Sequence, residues 1–268
     1  MPTVISADGT TIGYSAAGSG PALILVDGAM CYRDSGPSQG FAAALSDSFT
    51  VYSYDRRGRG ESGDTPPWSL EREVEDLAAV LAAAGGAAAV FGTSSGAVLA
   101  ADAASRLPGI TRLALYEPPF IVDGTREPRA ATFTEDTEAL IARGDRSGAV
   151  KKFMLHVGVP KIIVQIMPVM PPWKKIKGVA HTLPYDLRIL GDTGRGVPLD
   201  AARWSAVAAP ALVMDGGKSP EYMRNGTRAF SEALPQATYR TLPGQTHIVK
   251  PAVVAAAVKE FLASTASA

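Results

Sequence analysis

The stretch Ala87-Ala88-Ala89-Val90-Phe91-Gly92-Thr93-Ser94-Ser95-Gly96 carries a G-x-S-x-G pentapeptide directly after an apolar run. A helix-like segment, residues 97–102, follows the pentapeptide. A strand, a sharp turn and a helix in this order place the hydroxyl of Ser94 at the tip of the turn, where small neighbours leave room for a substrate carbonyl. The pattern predicts that Ser94 is a nucleophile; the alternative is an ordinary Gly/Ser turn.

Apolar runs alternate with helical spacing on both sides of this stretch. Residues 22–26 and 210–215 read as strands covered on both faces, as in a parallel sheet. Two alternating segments around Asp8-Gly9 predict an opening β-hairpin. Strands that alternate with helices predict a doubly wound, mostly parallel sheet. The remaining predicted elements are strands at 50–54, 87–91, 112–116 and 238–242, and helices at 69–84, 95–107, 221–234 and 252–263.

The alternation stops at Glu117-Pro118-Pro119 and resumes near Pro210. Between them lie about 90 residues, and a structureless loop of that size is improbable in a compact domain. Helix-like pieces at 134–142 and 147–157 precede a stretch dense in Pro, Met and Trp. The sequence therefore predicts a helical cap at residues 119–205, inserted into a core made of residues 1–118 and 206–268.

Composition limits the class of protein. With 268 residues, of which 46% are hydrophobic and 19% charged, the chain is long and apolar enough to be globular. Its 26 basic and 26 acidic residues balance, so no long-range field favours nucleic acid or an anionic membrane, and a small uncharged organic substrate is the default partner. The composition is also compatible with a homodimer.

The same composition bears on the compartment. The single cysteine, Cys31, excludes an internal disulfide framework and allows a reducing compartment. No signal peptide is visible at the N-terminus, and the apolar runs fall short of the ~20 residues that a membrane span requires. We expect a soluble, cytoplasmic protein.

A serine nucleophile needs a base, and an imidazole oriented by a third group is the usual one. The chain has three histidines, His156, His181 and His247. His247 follows the last predicted strand, and strand ends in a parallel sheet share one edge with the turn at Ser94. His247 is therefore the predicted base. His156 and His181 fall in the cap, where surface or core positions are expected and contact with substrate is the alternative.

Other motifs do not predict a bound group. Gly58–Gly63 satisfies G-x-G-x-x-G, but Asp64-Thr65-Pro66-Pro67 follows where a helix should open, so no dinucleotide site is predicted. His, Cys and acidic residues show no metal-ligand spacing. We predict neither a cofactor nor a metal.

Together the spaced motifs resemble the α/β-hydrolase fold, in which nucleophile, acid and histidine occur in that chain order. The resemblance rests on Asp27-Gly28-Ala29, residues 54–62, Gly92–Gly96 and residues 244–247. It implies an oxyanion hole made of the backbone N–H groups of Ala29 and Ser95. Most members carry His-Gly where this chain has Asp27-Gly28, which places a carboxylate near the site.

The resemblance leaves two positions for the acid. Many members place an aspartate a few residues past the glycine after the penultimate strand, where this chain has Ser219 in the stretch Asp215–Pro220. Others take the acid from the strand after the elbow helix, where Glu117 lies. We predict Glu117, with Asp215 as the alternative. Its role would be to fix the imidazole tautomer and stabilise the imidazolium.

A narrower resemblance is to the zearalenone lactonase group, carried by Asp27-Gly28, the elbow residues 94–97 and Glu117-x-Pro119. It implies a triad of Ser94, His247 and Glu117 that opens a lactone or ester of a hydrophobic molecule through an acyl-enzyme. The alternatives are C–C bond hydrolysis, a cyclisation or lyase reaction on the same fold, and a catalytically silent ligand-binding protein.

Specificity is expected to lie in the cap and the oxyanion loop. Besides Asp27 and Gly28, apolar cap side chains could line a substrate pocket, although such residues are more often ordinary core. These cap residues are Met154, Met167, Met170, Trp173, Tyr185 and Trp204.

Overall fold

A single eight-stranded sheet lies at the centre of the computed structural model, which describes residues 2–264. Its strands are β1 (Thr3–Ile5), β2 (Thr11–Ala17), β3 (Ala22–Val26), β4 (Thr50–Tyr54), β5 (Ala88–Thr93), β6 (Ile110–Tyr116), β7 (Ala211–Gly216) and β8 (Ala237–Leu242). They are arranged in the order β1-β2-β4-β3-β5-β6-β7-β8. β1 pairs with β2, and β2 with β4, in antiparallel fashion, whereas all other pairs are parallel. The predicted mostly parallel sheet is confirmed.

Helices cover both faces of this sheet. In chain order they are α1 (Ser38–Leu45), α2 (Leu70–Ala83), α3 (Ser95–Ala104), α4 (Phe133–Ala142), α5 (Arg146–His156), α6 (Lys161–Ile166), α7 (Trp173–Gly178), α8 (Leu183–Leu190), α9 (Glu221–Ala233) and α10 (Pro251–Ala263). Alternate residues of β3 explain its unbroken apolar run: Leu23 and Leu25 pack with α1 and α10, whereas Ile24 and Val26 pack with α2, α3 and α9. Helix α1 has no counterpart among the predicted elements.

The helical insertion between β6 and β7 is confirmed. Helices α4 to α8 follow one another there, joined by short 3₁₀ turns such as Ala180–Thr182. Part of this cap forms an apolar cluster that includes Val150, Trp173 and Leu183, together with Met30 of the loop after β3. No helix within residues 2–264 combines the length and the apolar character that a membrane span requires.

The parallel strands end at one edge of the sheet, here called the rim. β3 ends just before Asp27, β5 runs into Ser94, β6 ends just before Glu117, and the loop after β8 carries His247. Ligands in open parallel sheets bind outside the carboxyl ends of the strands. The topology alone therefore brings four distant segments of the chain to one place.

Candidate active site

Ser94 occupies a strained turn between β5 and α3. Its backbone has φ 55° and ψ −128°, in a region that L-residues rarely adopt. Glycines make the turn possible, because a Cβ on Gly92 would lie 2.5 Å from the carbonyl oxygen of Gly96, and one on Gly96 would collide with the carbonyl of Val26. The N–H of Ser94 donates to the carbonyl of Tyr116 over 2.9 Å, which ties the turn to β6. The sequence pattern predicts this strand, turn and helix, and the structure has them.

Glu117 and His247 lie together at the rim. Glu117 Oε2 and His247 Nδ1 are 2.9 Å apart. The other carboxylate oxygen, Oε1, accepts a 2.7 Å hydrogen bond from the N–H of Gly216, and the glutamate is fully buried. Because an ionised carboxylate can only accept, the proton of a neutral His247 lies on Nδ1, which leaves Nε2 free to accept one.

The loop that carries His247 is anchored, while its imidazole is accessible. The hydroxyl of Tyr116 donates to the carbonyl of Thr246 over 2.6 Å. The side chain of His247 is 41% exposed and lines the same cavity as Ser94. Within residues 2–264 the Ser94 hydroxyl makes no hydrogen bond, and the imidazole bonds to Glu117 alone. Hydrogen bonds between catalytic groups often tighten only when substrate binds.

The alternative acid, Asp215, has a different partner. Its Oδ2 accepts a 2.5 Å hydrogen bond from the hydroxyl of Tyr239. Its Oδ1 is buried and makes no hydrogen bond to any described residue. Of the two candidate acids, only Glu117 contacts the imidazole of His247 in the described part of the chain.

The loop after β3 passes directly over the serine. A Cβ on Gly28 would lie 2.8 Å from Cβ of Ser94, so the loop approaches the turn as closely as backbone can. Gly28, Ala29 and Ser95 all line the cavity, and Ser95 is the first residue of α3, where a helix has unpaired N–H groups. This placement suits the predicted oxyanion donors, whose role stays a prediction.

A buried arginine holds this loop in place. Arg59 donates to the carbonyls of Gly28 over 2.7 Å and Cys31 over 3.1 Å. The same guanidinium donates to Oδ2 of Asp186, in cap helix α8, over 2.6 Å. Oδ1 of Asp186 accepts from the Ser95 hydroxyl over 2.7 Å. One cap carboxylate thus connects both sides of the predicted oxyanion hole.

Asp186 is ionised although it is fully buried. A second arginine, Arg56, donates to its Oδ1 over 2.6 Å and also binds Glu73. Burial alone would raise the pKa of Asp186, but the charges of Arg59 and Arg56 and the Ser95 hydrogen bond lower it below its usual value. Sequence reasoning missed this residue, because a single aspartate in a cap helix has no motif around it.

Asp27 belongs to the packing beneath the loop and not to the cavity wall. Its carboxylate accepts a 2.6 Å hydrogen bond from Ser38, the first residue of α1, and burial raises its pKa to about 6. It is not among the described residues that line the cavity. The side chain points to α1, and its predicted contact with substrate stays a prediction.

A mostly apolar cavity of about 850 Å³ lies between the rim and the cap. Ser94 and His247 line it, together with the predicted Gly28 and Met154. Aliphatic, aromatic and sulfur-containing side chains make up most of the rest. They include Met30, Phe41, Phe153, Leu187, Met223 and Ile248.

Two predicted pocket residues lie elsewhere. Trp173 is buried in the apolar cluster that also contains Val150 and Met30. Tyr185 stacks on Trp68 with ring centroids 5.1 Å apart, and its hydroxyl donates to Asp64 over 3.0 Å. Neither is among the described residues that line the cavity, so the structure does not bring them to Ser94, and their predicted contact with substrate stays a prediction. Trp173 packs mainly against other cap residues, whereas Tyr185 packs the cap against the core.

The other cap residues considered for the pocket also have structural positions. Met167 packs against the cap cluster, and Met170 is 44% exposed at the surface. Trp204 belongs to the main core, where its Nε1 donates to Asp102 over 2.9 Å. The spacing of apolar residues in the cap does not distinguish residues that line the cavity from residues of the core.

Four polar residues of the cavity wall are not among the predicted site residues, although contact with substrate was the alternative for His156. Arg126, Arg129, His156 and Tyr222 line it, far along the chain from the rim motifs. Burial, with the charges of Arg126 and Arg129, lowers the pKa of His156 to about 4, so its imidazole is neutral near pH 7. The third histidine, His181, lies outside the cavity lining and faces Asp64 at 3.6 Å. Within residues 2–264 no group of three His, Cys, Asp or Glu side chains is placed to hold a metal ion.

Comparisons with known proteins agree with this fold. Residues 18–257 match the model of the alpha/beta hydrolase family. An alpha/beta hydrolase from Sphaerobacter thermophilus DSM 20745 is 47% identical, with a TM-score of 0.89 over 97% of this chain and 100% of that chain. An enol-lactonase from Burkholderia xenovorans LB400 shares the fold at 19% identity, with a TM-score of 0.69 over 98% and 100% of the two chains.

A curated relative matches more locally. An uncharacterized hydrolase from Bacillus subtilis (strain 168) is 31% identical over 150 residues, which is 53% of this chain and 53% of that protein. The match thus spans about half the length of the curated relative. The match is a further similarity to a hydrolase and does not indicate a substrate.

Proposed function

The chain belongs to the alpha/beta hydrolase family, and from this premise we propose that it hydrolyses a carboxylic ester or lactone of a hydrophobic small molecule through an acyl-enzyme on Ser94. The observation that carries the proposal is the 2.9 Å hydrogen bond between Glu117 and His247 at the edge of a cavity that Ser94 also lines. A hydroxyl, an imidazole and a carboxylate in this arrangement are the parts of a nucleophilic triad.

The proposed reaction begins with a proton transfer. Nε2 of His247 takes the proton of the Ser94 hydroxyl as the oxygen attacks the substrate carbonyl. The carbonyl oxygen becomes negative, and the N–H groups of Ala29 and Ser95 bind it. Glu117 stabilises the imidazolium, which then protonates the leaving alkoxide.

The second half of the reaction releases the acid. Water loses a proton to His247 and attacks the acyl carbon, and Ser94 leaves with the proton that the imidazole returns. For a lactone, the alcohol and the acid belong to one product molecule. Removing one oxyanion donor would lower turnover by roughly 10²–10³-fold.

The proposed substrate can be narrowed further to a lactone. It is supported by the resemblance of Asp27-Gly28, the elbow and Glu117-x-Pro119 to the zearalenone lactonase group. The apolar lining and the volume of about 850 Å³ suit a hydrophobic molecule that is large for an ester substrate.

Ser94→Ala tests the proposal. The wild-type protein should hydrolyse an activated aryl ester and react with a fluorophosphonate probe, and the variant should do neither above background. Asp215→Asn serves as the matched control, since its carboxylate bonds to Tyr239 and not to His247. Labelling or ester hydrolysis that persists in Ser94→Ala would remove the serine from the mechanism.

A further inference from the structure

Arg129 stands apart from the other buried arginines. Within residues 2–264, five arginines are at most 7% exposed, and four of them pair with carboxylates. Arg129 forms no ion pair with a described residue, and its guanidinium donates only to the backbone carbonyl of Gly191. The four paired ones are Arg33, Arg56, Arg57 and Arg59.

The charge of Arg129 is poorly compensated where it lies. Burial lowers its pKa, and the charge of Arg195 lowers it further, whereas the charges of Asp192 and Glu135 only partly oppose these effects. Taking a guanidinium out of water costs free energy unless an anion faces it. Arg129 lines the cavity, so a bound anion could reach it.

Arg126 presents a second guanidinium to the same wall. It lies over the ring of Tyr222, with 4.3 Å from Cζ to the ring centroid, and it donates to the carbonyl of His156. It forms no ion pair with any described residue. The neutral His156 and the tyrosine both line the cavity beside it. Stacking and the carbonyl contact hold the planar donor group in one orientation, which suits recognition of a carboxylate.

This wall and the proposed reaction centre belong to one cavity, which Ser94 and His247 also line. No other cationic side chain is among the described residues that line the cavity. The acid that lines it, Asp186, already has both carboxylate oxygens bonded.

We propose that Arg126 and Arg129 bind a carboxylate of the substrate, separate from the carbonyl that Ser94 attacks. The inference rests on the proposed ester or lactone hydrolysis and narrows its substrate class to hydrophobic esters or lactones that carry a free acid. Arg126 and Arg129 each offer guanidinium N–H donors to such a carboxylate from the lining of the cavity, and the apolar lining accepts the chain between the two ends of the molecule. Hydrolysis then yields a product with two carboxylates.

Matched ester pairs test this inference. The probes are mono-4-nitrophenyl esters of straight-chain dicarboxylic acids from succinate to suberate, each compared with the same compound whose free acid is capped as a methyl ester. For at least one chain length, the wild-type kcat/KM should be about 10-fold or more higher for the free acid, mainly through a lower KM. The chain length with the largest ratio reports the separation of the two sites.

Three variants identify the residues responsible. Arg129→Gln and Arg126→Gln should each lower kcat/KM for the free acids by about 10- to 100-fold, with less than about 3-fold change for the capped esters. Arg129→Lys keeps the charge and should retain part of the preference. Should Arg129→Gln fail to fold, Arg126→Gln carries the same comparison.

Two results would overturn the inference. One is a wild-type enzyme that does not prefer the free acid at any chain length, and the other is a preference that survives both glutamine variants. Neither affects the proposed chemistry, since hydrolysis of the capped esters would still depend on Ser94. Conversely, hydrolysis that is independent of Ser94 would reject the proposed function whatever the arginines do.

Discussion

The rim of the sheet and the cap contribute to the same cavity in different ways. At the rim, Ser94 and Glu117 directly follow strands and His247 lies in the loop after β8, so the direction of the parallel strands brings them together. In the cap segment, Asp186 and Arg129 reach the site by packing of helices and irregular chain. Residues for the proposed reaction can therefore be located by their position at strand ends. Residues for substrate selectivity are located instead by their buried charge.

The comparison predicts different consequences of mutation. A change in the proposed triad should remove turnover and leave the fold intact. A change among the buried charges of the cap should reduce stability or selectivity, with a smaller effect on the chemical step. Two substitutions, each with a matched control, test this division, and a third tests the burial of Asp27.

The largest effect is expected from Glu117→Gln. Because Oε1 accepts from the N–H of Gly216, the glutamine oxygen should remain there and turn the amide NH₂ toward Nδ1 of His247. The imidazole would then carry its proton on Nε2 and could not accept one from Ser94. We expect kcat to fall by about 10³–10⁴-fold with little change in thermal stability.

Asp215→Asn is the matched control at the neighbouring strand end. Its partner is Tyr239, so kcat should stay within about threefold of the wild type. Steady-state rates on one aryl ester compare the two variants. A larger loss in Asp215→Asn than in Glu117→Gln would reverse the assignment of the acid.

An intermediate effect is expected from Asp186→Asn in the cap. The substitution leaves Arg56 and Arg59 buried with one carboxylate fewer, which should lower the free energy of unfolding by about 3–5 kcal/mol. Glu138→Gln is the control, because Glu138 also binds helix α8, through Arg188, but at the surface. Its loss should be below about 1 kcal/mol. Equal losses in urea unfolding would show that Asp186 has no special role in joining cap and rim.

The smallest effect is a pH dependence at Asp27. Its pKa is raised from 3.8 to about 6 in the folded protein, chiefly by burial. The folded state therefore binds the proton more tightly, and the stability it provides below about pH 4 is lost as the pH rises through about 6. Asp27→Asn can still accept the Ser38 hydrogen bond and should remove this loss.

Melting temperatures of both proteins between pH 4 and 7 measure the effect. As the pH rises across this window, the folding stability of the variant should increase relative to that of the wild type, by at most about 3 kcal/mol. Parallel curves for the two proteins would contradict the burial of an ionisable Asp27.

Most of the rim could be predicted from the sequence, because period-two and period-3.6 patterns locate strands and helices and short motifs mark the loops between them. The strand ends at Ser94 and Glu117 are examples. The cap resisted prediction for a physical reason. Trp173 and Tyr185 have the composition of pocket residues but pack within the protein, and nothing local distinguishes the two environments. Arg129 is recognised only by the absence of an ion-pair partner among residues 2–264, which is a property of the folded chain.

Capture of the intermediate on Ser94 tests the central claim most directly. The protein is mixed with an aryl ester whose acyl group leaves slowly, quenched in acid within the burst of nitrophenol release, and digested for mass spectrometry. We expect the mass of one acyl group on the peptide that contains Ser94, and none in Ser94→Ala. Full turnover of the ester with that peptide unmodified, or with the acyl group on another residue, would contradict the claim.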